Sequence, residues 1–332
     1  MPTNINIAVA GEALIDLIAR SDGTYLPCMG GAPYNLARAL ARQGMGAVYL
    51  NPLSGDRFGR ALAHQLEQDG VQLARKEAVL QPTSLAVVNL NDSGHPDYAF
   101  YREGVADRQV SANDMSQACN QYPDLQMVCT GALALDPRDA DVYLPWLKAQ
   151  RQAGRFVVVD ANLRPSVMPD LDAYRAQVLA TLSQADLIKV SDEDLLYLGY
   201  RATDALDAAR DLLNGTQASA LALTLGARGA WLLTPESQCY AREQDALAVV
   251  DTVGAGDSFL AGLLSSLLLS SAQQPGGRVQ LAGQDLSALL RHALACASLC
   301  VQQQGCVPPS WAEARQWSQQ HAVVTAPGSS SA

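Results

Sequence analysis

The stretch Asp251-Thr252-Val253-Gly254-Ala255-Gly256-Asp257-Ser258-Phe259 decides how this chain is read. Before it stands the apolar run Ala246-Leu247-Ala248-Val249-Val250, which predicts a buried strand. After it, Phe259-Leu260-Ala261-Gly262-Leu263-Leu264 predicts a buried helix. A glycine-rich turn that opens a helix leaves backbone N–H groups unpaired at the positive end of the helix dipole, where anions bind. Gly254 and Gly256 let backbone approach the anion with no side chain between. Asp257 is odd in that place, because its carboxylate repels the phosphate that the amides attract. The conflict resolves if Asp257 takes a proton from an alcohol while the amides of Ala255, Gly256 and Asp257 stabilise a phosphoryl group under attack. Read alone, Gly-x-Gly-Asp is equally a turn and a helix cap. The full string of nine residues favours the chemistry.

Outward from this turn, short apolar runs alternate with helix-like spacing. Strands are predicted over 5–10, 47–50, 127–129, 156–160, 187–190, 220–224 and 231–233, with helices over 35–43, 58–69, 138–153, 174–184 and 205–213. That alternation predicts an α/β protein with a mostly parallel sheet flanked by helices on both faces. Ligands in such folds bind at the carboxyl ends of the strands. The segments 13–29 and 85–102 break the rhythm. They read as extended hairpins, with turns at Ser21-Asp22-Gly23 and Asn91-Asp92-Ser93-Gly94. Neither can bury a core alone, so they are expected to form a small sheet beside a large domain of 1–12, 30–84 and 103–322. The segment 323–332 reads as a loose tail.

Bulk properties narrow the function classes. With 332 residues, 48% hydrophobic and 17% charged, the chain is an ordinary globular protein. A net charge of −10 argues against nucleic acid, since no basic patch offsets phosphate repulsion. It leaves a nucleotide possible, because local amides and a metal ion hold phosphates inside an acidic protein. No Gly-x-x-x-x-Gly-Lys-Ser/Thr loop is present, and Phe259 stands where a dinucleotide loop needs its third glycine. The start of the chain runs into Ile5–Ala10 without a basic region and extended apolar segment, and the greasiest helix, around 259–269, reads as too short for a bilayer. Seven cysteines without Cys-x-x-Cys spacing predict reduced thiols in a cytoplasmic protein. Cys296, Cys300 and Cys306 come closest to a cluster, but no histidine lies at ligand spacing, so packing thiols are expected.

The nine-residue string resembles the C-terminal signature of the ribokinase-like (PfkB) carbohydrate kinases, and four further segments match in the family's order. Gly30-Gly31-Ala32-Pro33-Tyr34-Asn35-Leu36-Ala37 is similar to its sugar-binding motif, and Asp160-Ala161-Asn162-Leu163-Arg164 to its Asp-x-Asn-x-Arg segment. Lys189-Val190-Ser191-Asp192-Glu193-Asp194 is similar to its Lys-x-Ser-x-x-Glu-type segment, with ambiguous carboxylate spacing. Thr224-Leu225-Gly226-Ala227-Arg228-Gly229 is similar to its nucleotide loop. The resemblance spans nearly the whole chain.

The resemblance implies transfer of the γ-phosphoryl group of ATP, with Mg2+, to a sugar hydroxyl. Asp257 becomes the base and Gly254, Ala255 and Gly256 the anion hole. On the substrate side it implies Asp16, Gly30, Gly31, Asn35, Arg102 and Arg164. Without the resemblance Asn35 reads as a helix cap, Asp16 as a solvated residue, and Arg102 as an exposed arginine paired with an acid. On the nucleotide side it implies Asp160, Asn162, Lys189, Ser191, Glu193, Thr224, Gly226 and Gly229, with Asp160 and Asn162 toward magnesium as hard oxygen donors. Asp251 and Val253, with carbonyls near Gly305 and Ser310, are the expected holders of a monovalent cation, K+. The pattern is most like the bacterial fructokinases. 2-Keto-3-deoxygluconate kinases and aminoimidazole riboside kinases share much of it, and Tyr34 and Ala161 depart from the usual fructokinase residues. A sensor that kept the fold and lost catalysis is the non-enzymatic alternative, against which the intact Asp257 weighs. The family also implies that the small sheet is a lid over the sugar and joins a homodimer, with Tyr98 and Phe100 as interface candidates.

Overall fold

The computed structural model describes residues 4–90, 96–202, 204–272 and 279–327. Ten strands form the main sheet, in the spatial order Val323–Pro327, Gln238–Glu243, Ala230–Leu233, Ala220–Thr224, Leu187–Ser191, Phe156–Asp160, Met127–Gly131, Ile7–Val9, Ala47–Tyr49 and Gln72–Leu73. Every pairing from Ala220–Thr224 through to Gln72–Leu73 is parallel, and the three pairings beyond Ala220–Thr224 are antiparallel. The predicted α/β class with a mostly parallel sheet is what forms.

Burial on both faces explains the unbroken apolar runs. Ile7, Val9 and Val158 point into one core layer with helices Ala32–Arg42, Ala255–Ala272 and Leu286–Cys300. Ala8, Val157 and Val159 point into the other, with helices Ala112–Asn120, Ala140–Gln152, Leu171–Leu182 and Ala205–Asn214. Helix Ala255–Ala272 is apolar all round because it is packed in the core, against Leu286–Cys300 and Ala32–Arg42. Among the described residues it is the one helix long and apolar enough to cross a membrane. At 18 residues it outruns the 259–269 expected from sequence.

A separate four-stranded sheet has the order Tyr25–Gly30, Leu14–Ala19, Ser84–Leu90, Pro96–Tyr101. Its register places Asp16 opposite Ala86, and Ala86 opposite Phe100, so these three side chains share a face. The Ser21-Asp22-Gly23 turn closes the first hairpin, where Asp22 Oδ1 accepts from the Thr24 amide at 2.9 Å. The turn expected at 91–94 lies outside the described residues.

Two expectations are corrected. The run 246–250 is not a buried strand: Val249 and Val250 are each 58% exposed. The strand that precedes them ends at Glu243, Gln244 bonds Ala322, and the Val250 amide donates to Val301 O at 2.8 Å. Among the described residues this run pairs with no strand, and its apolar composition alone misleads. The second correction is the tail. Val323–Pro327 is an edge strand, antiparallel to Gln238–Glu243, because that strand's outer row of backbone groups needs a partner. Residues 328–332 lie outside the described residues.

Candidate active site

Strand ends and helix starts converge on one cavity of about 500 Å³. Asp257 lies in the first turn of Ala255–Ala272, 7% exposed. Burial pushes its carboxyl up to about 7, the Asp160 carboxylate adds to the rise, and Lys189, an Asn35 hydrogen bond and Arg164 oppose it. The turn before it needs the first glycine, and the second leaves room for Lys189. Gly254 holds φ 77°, and a Cβ there would meet Cys306 Sγ at 2.2 Å; a Cβ on Gly256 would stand 3.1 Å from Lys189 Nζ.

Beneath the loop, Lys189 Nζ contacts both Asp160 oxygens, at 3.0 and 3.1 Å, and both residues are buried. Strands Phe156–Asp160 and Leu187–Ser191 are parallel neighbours with Lys189 opposite Asp160, and this register makes the ion pair. Each is the other's direct ion-pair partner, so removing one strands its partner. Past the strand end, Asn162 holds left-handed backbone at φ 38° and Arg164 Nη1 donates to Asn162 O at 3.0 Å and Leu163 O at 2.9 Å. Ala132, also lining the cavity, has φ 53°. Non-glycine residues adopt this conformation at a cost of about 1–3 kcal/mol, and such strain gathers at functional sites.

The opposite wall comes from the small sheet. Asp16 faces the cavity, with burial raising its carboxyl to about 6 against the pull of Arg164. Gly30 makes room for it, since a Cβ there would fall 2.2 Å from Asp16 Oδ2. Gly31, at φ 106°, caps helix Ala32–Arg42, and a Cβ on it would strike Glu12 O. Asn35 is therefore not the cap; one turn in, its Nδ2 donates to Asp257 Oδ2 at 3.0 Å.

Among the candidate residues, the cavity is lined by Asp16, Gly31, Asn35, Asn162, Arg164, Lys189, Asp251, Val253, Gly254, Gly256, Asp257 and Gly305. Others fall elsewhere. Arg102 is 5% exposed beneath the floor, donating to Leu133 O and lying 3.6 Å from Asp136 and 3.7 Å from Asp139. An exposed surface pair does not describe it; it lines a neighbouring cavity with Phe100 and Leu133. Ser310 caps helix Trp311–Gln320 in a box with Glu313 and does not line the cavity, while Asp251 Oδ2 accepts from the Gly305 amide at 2.9 Å and ties two loops together. Glu193 is exposed. Its neighbour Asp194 is the buried acid, accepting from the amides of Leu163 and Ser191, and its charge raises the Asp160 carboxyl. Ser191 caps helix Asp192–Leu198, which carries both acids. Thr224, Gly226 and Gly229 form the turn after Ala220–Thr224, outside the lining, where Gly229 at φ 93° avoids Ala241 O.

Two site residues escaped the sequence reading. Asp194 was reachable from the Ser191-x-x-Asp194 capping-box spacing. Glu12 carries no such signal: it is buried, Oε1 accepts from the Ala32 amide at 3.2 Å, and Oε2 lacks a partner. Burial raises its carboxyl to about 8 despite Arg102. The folded protein keeps Glu12 protonated while the unfolded chain ionises it, so stability falls as pH rises from about 4.5 to 8. Glu12→Gln should therefore melt progressively higher than wild type as pH is raised across that window. An unchanging gap in thermal melts would show that Glu12 ionises normally.

Comparison with known proteins agrees with this geometry. The family model described as pfkB family carbohydrate kinase matches residues 4–313. The chain is 34% identical over 263 residues to a fructokinase from Vibrio alginolyticus, covering 78% of this chain and 83% of that protein. Fructokinase with bound ATP from Xylella fastidiosa superposes with a TM-score of 0.77 at 27% identity, over 95% of this chain and 98% of the other. A fructokinase double mutant from Vibrio cholerae O395, in its fructose, ADP and potassium ion bound form, gives 0.76 at 28% identity, over 94% and 98%. The chain belongs to the pfkB family of carbohydrate kinases and is an ATP-dependent sugar kinase.

Proposed function

We propose that the chain phosphorylates fructose, with Asp257 as general base. The observation that carries this is one cavity lined both by Asp257, whose buried carboxyl is raised to about 7, and by Gly254 and Gly256 at the start of helix Ala255–Ala272. Asp257 takes the proton of the acceptor hydroxyl, and the amides of Gly256 and Asp257 receive charge from the moving phosphoryl group, while the Ala255 amide donates to Thr252 O at 3.2 Å. Asp16 accepts sugar hydroxyls. Both oxygens of Asp160 face Lys189, so Asp160 and Asn162 would hold Mg2+ through water, and the ion would neutralise phosphate charge. The loops that Asp251 ties together would hold K+ through their carbonyls.

The lining favours a neutral sugar. Lys189 is paired with Asp160, while Asp16, Asp251 and Asp257 set carboxyl groups along the wall. A sugar acid such as 2-keto-3-deoxygluconate would bring a further carboxylate to that wall and have Arg164 as its cation. Aminoimidazole riboside is the second reading, because Ile18, Leu26, Val88 and Phe100 give the small sheet an apolar face toward the cavity. An ADP-release assay across fructose, 2-keto-3-deoxygluconate and aminoimidazole riboside tests this. The highest kcat/KM is expected for fructose; a higher value for the riboside would replace the reading, and binding without turnover would favour a sensor. We place the enzyme in the cytoplasm on its free thiols.

Asp16→Ala should weaken fructose binding and leave ATP affinity nearly unchanged. A charged hydrogen bond contributes about 1.5–3 kcal/mol, so calorimetry should show a loss of at least ~10-fold. Unaltered fructose affinity would remove Asp16 from the site.

We also propose a homodimer joined through the small sheets. The support is a four-stranded sheet with open edge strands Tyr25–Gly30 and Pro96–Tyr101 and with Tyr101 62% exposed. Phe100 faces the cavity, so a partner's sheet there would also help cover the sugar; the Tyr98 side chain lies outside those described. Light scattering at micromolar concentration should give twice the chain mass. A fully active monomer would refute the dimer.

A further inference from the structure

Helices Ala32–Arg42 and Ala255–Ala272 pack together, and their first turns meet through one side chain. Asn35 is 4% exposed. Its Nδ2 donates to Asp257 Oδ2 at 3.0 Å, and its Oδ1 is buried with no partner. The amide can face a carboxylate only through its NH2 end, since the flipped orientation would set oxygen against oxygen. The orphaned Oδ1 must then look elsewhere, and both residues line the same cavity.

We propose that Asn35 is the positioning residue for the base: its Nδ2–H fixes the Asp257 carboxylate and favours its ionised form, leaving Oδ1 to accept a neighbouring sugar hydroxyl. The proposal rests on the reading of Asp257 as general base and adds to it a second role for a residue of the sugar motif. Sugar recognition and base readiness then share one side chain, so a sugar without the neighbouring hydroxyl binds beside a less constrained base. The charged and titratable groups around Asp257 are Asp160 and Lys189 from the central strands, Arg164 from the loop beyond, and the thiols of Cys300 and Cys306 from behind the anion loop. Among these, Asp160 raises the Asp257 carboxyl, and Lys189, Asn35 and Arg164 lower it. Asn35 is the one that does so through a direct hydrogen bond between side chains.

The sign of the test follows. Removing a donor that stabilises the ionised carboxylate raises its pKa, so the acid limb of the rate profile moves to higher pH. For Asn35→Leu the limb of kcat should move up by about one pH unit, giving a ~5-fold loss near pH 7 that recovers above pH 9. Asn35→Asp, which sets a second carboxylate beside the first, should move it further. In the Asp257→Asn background, Asn35→Leu should change kcat no further, since the base it serves is gone. Asn35→Ser serves if the leucine variant does not fold, and carries the same expectation. A limb that stays in place while KM alone rises would overturn the proposal and leave Asn35 as a sugar contact. A wild-type profile with no acid limb, or an active Asp257→Asn enzyme, would overturn the reading of the base itself.

Discussion

Asp257→Asn is expected to lose at least ~10²-fold in turnover while ATP binding persists, because the substitution removes the proton acceptor and keeps the shape. The asparagine can still receive a hydrogen bond from Asn35 through its Oδ1, so the contact between the two helices survives. The same variant should be more stable than wild type at neutral pH. The unfolded chain ionises this aspartate near the ordinary 3.8, whereas the folded protein holds the proton to about 7. Unfolding therefore releases a proton across that window, and wild-type stability falls as pH rises through it. Asparagine has no proton to release, so the melting temperatures should diverge from pH 4 to 7. Turnover near the wild-type rate would remove Asp257 from the role of base. Melting curves that stay parallel would mean its carboxyl is not perturbed.

Gly256→Val is expected to damage phosphoryl transfer by ~10²–10³-fold, the loss that follows removal of one oxyanion-type donor, with sugar affinity less affected. A Cβ on Gly256 stands 3.1 Å from Lys189 Nζ, and valine's branches extend further. Lys189 must shift, which strains its ion pair with the buried Asp160 carboxylate. That strand end lies next to Asp257, so the change strikes the base and the anion hole together. Pre-steady-state transfer measured beside fructose binding would separate the two effects. Equal losses in both would place this loop on the sugar.

Much of this was legible in the sequence because it depends on local pattern. The β-rich runs 156–160 and 220–224 become strands with those bounds, since a chain segment buried on both faces must be apolar at every position. The string 251–259 locates the glycine turn on the cavity, because a side chain at Gly254, with φ 77°, would strike Cys306 packed behind it. What was hidden depends on contacts made at long range. Arg102 looks like a surface arginine until the fold brings Asp136 and Asp139 against it. Glu193 and Asp194 are neighbours in sequence, and only the direction of the helix decides which is buried. Val249 and Val250 are as apolar as any strand, yet the sheet edge they would need is filled by residues from the far end of the chain. The Asn35 to Asp257 bond spans 222 residues, beyond the reach of any local pattern.

The most direct test follows the label from γ-labelled ATP in a single turnover with fructose and wild-type protein. The account predicts that the label passes from ATP into a sugar phosphate, with little free phosphate, and that Asp257→Asn slows this transfer without releasing the label to water. Label that stays in ATP with every sugar offered, or that appears as inorganic phosphate irrespective of sugar, would contradict it.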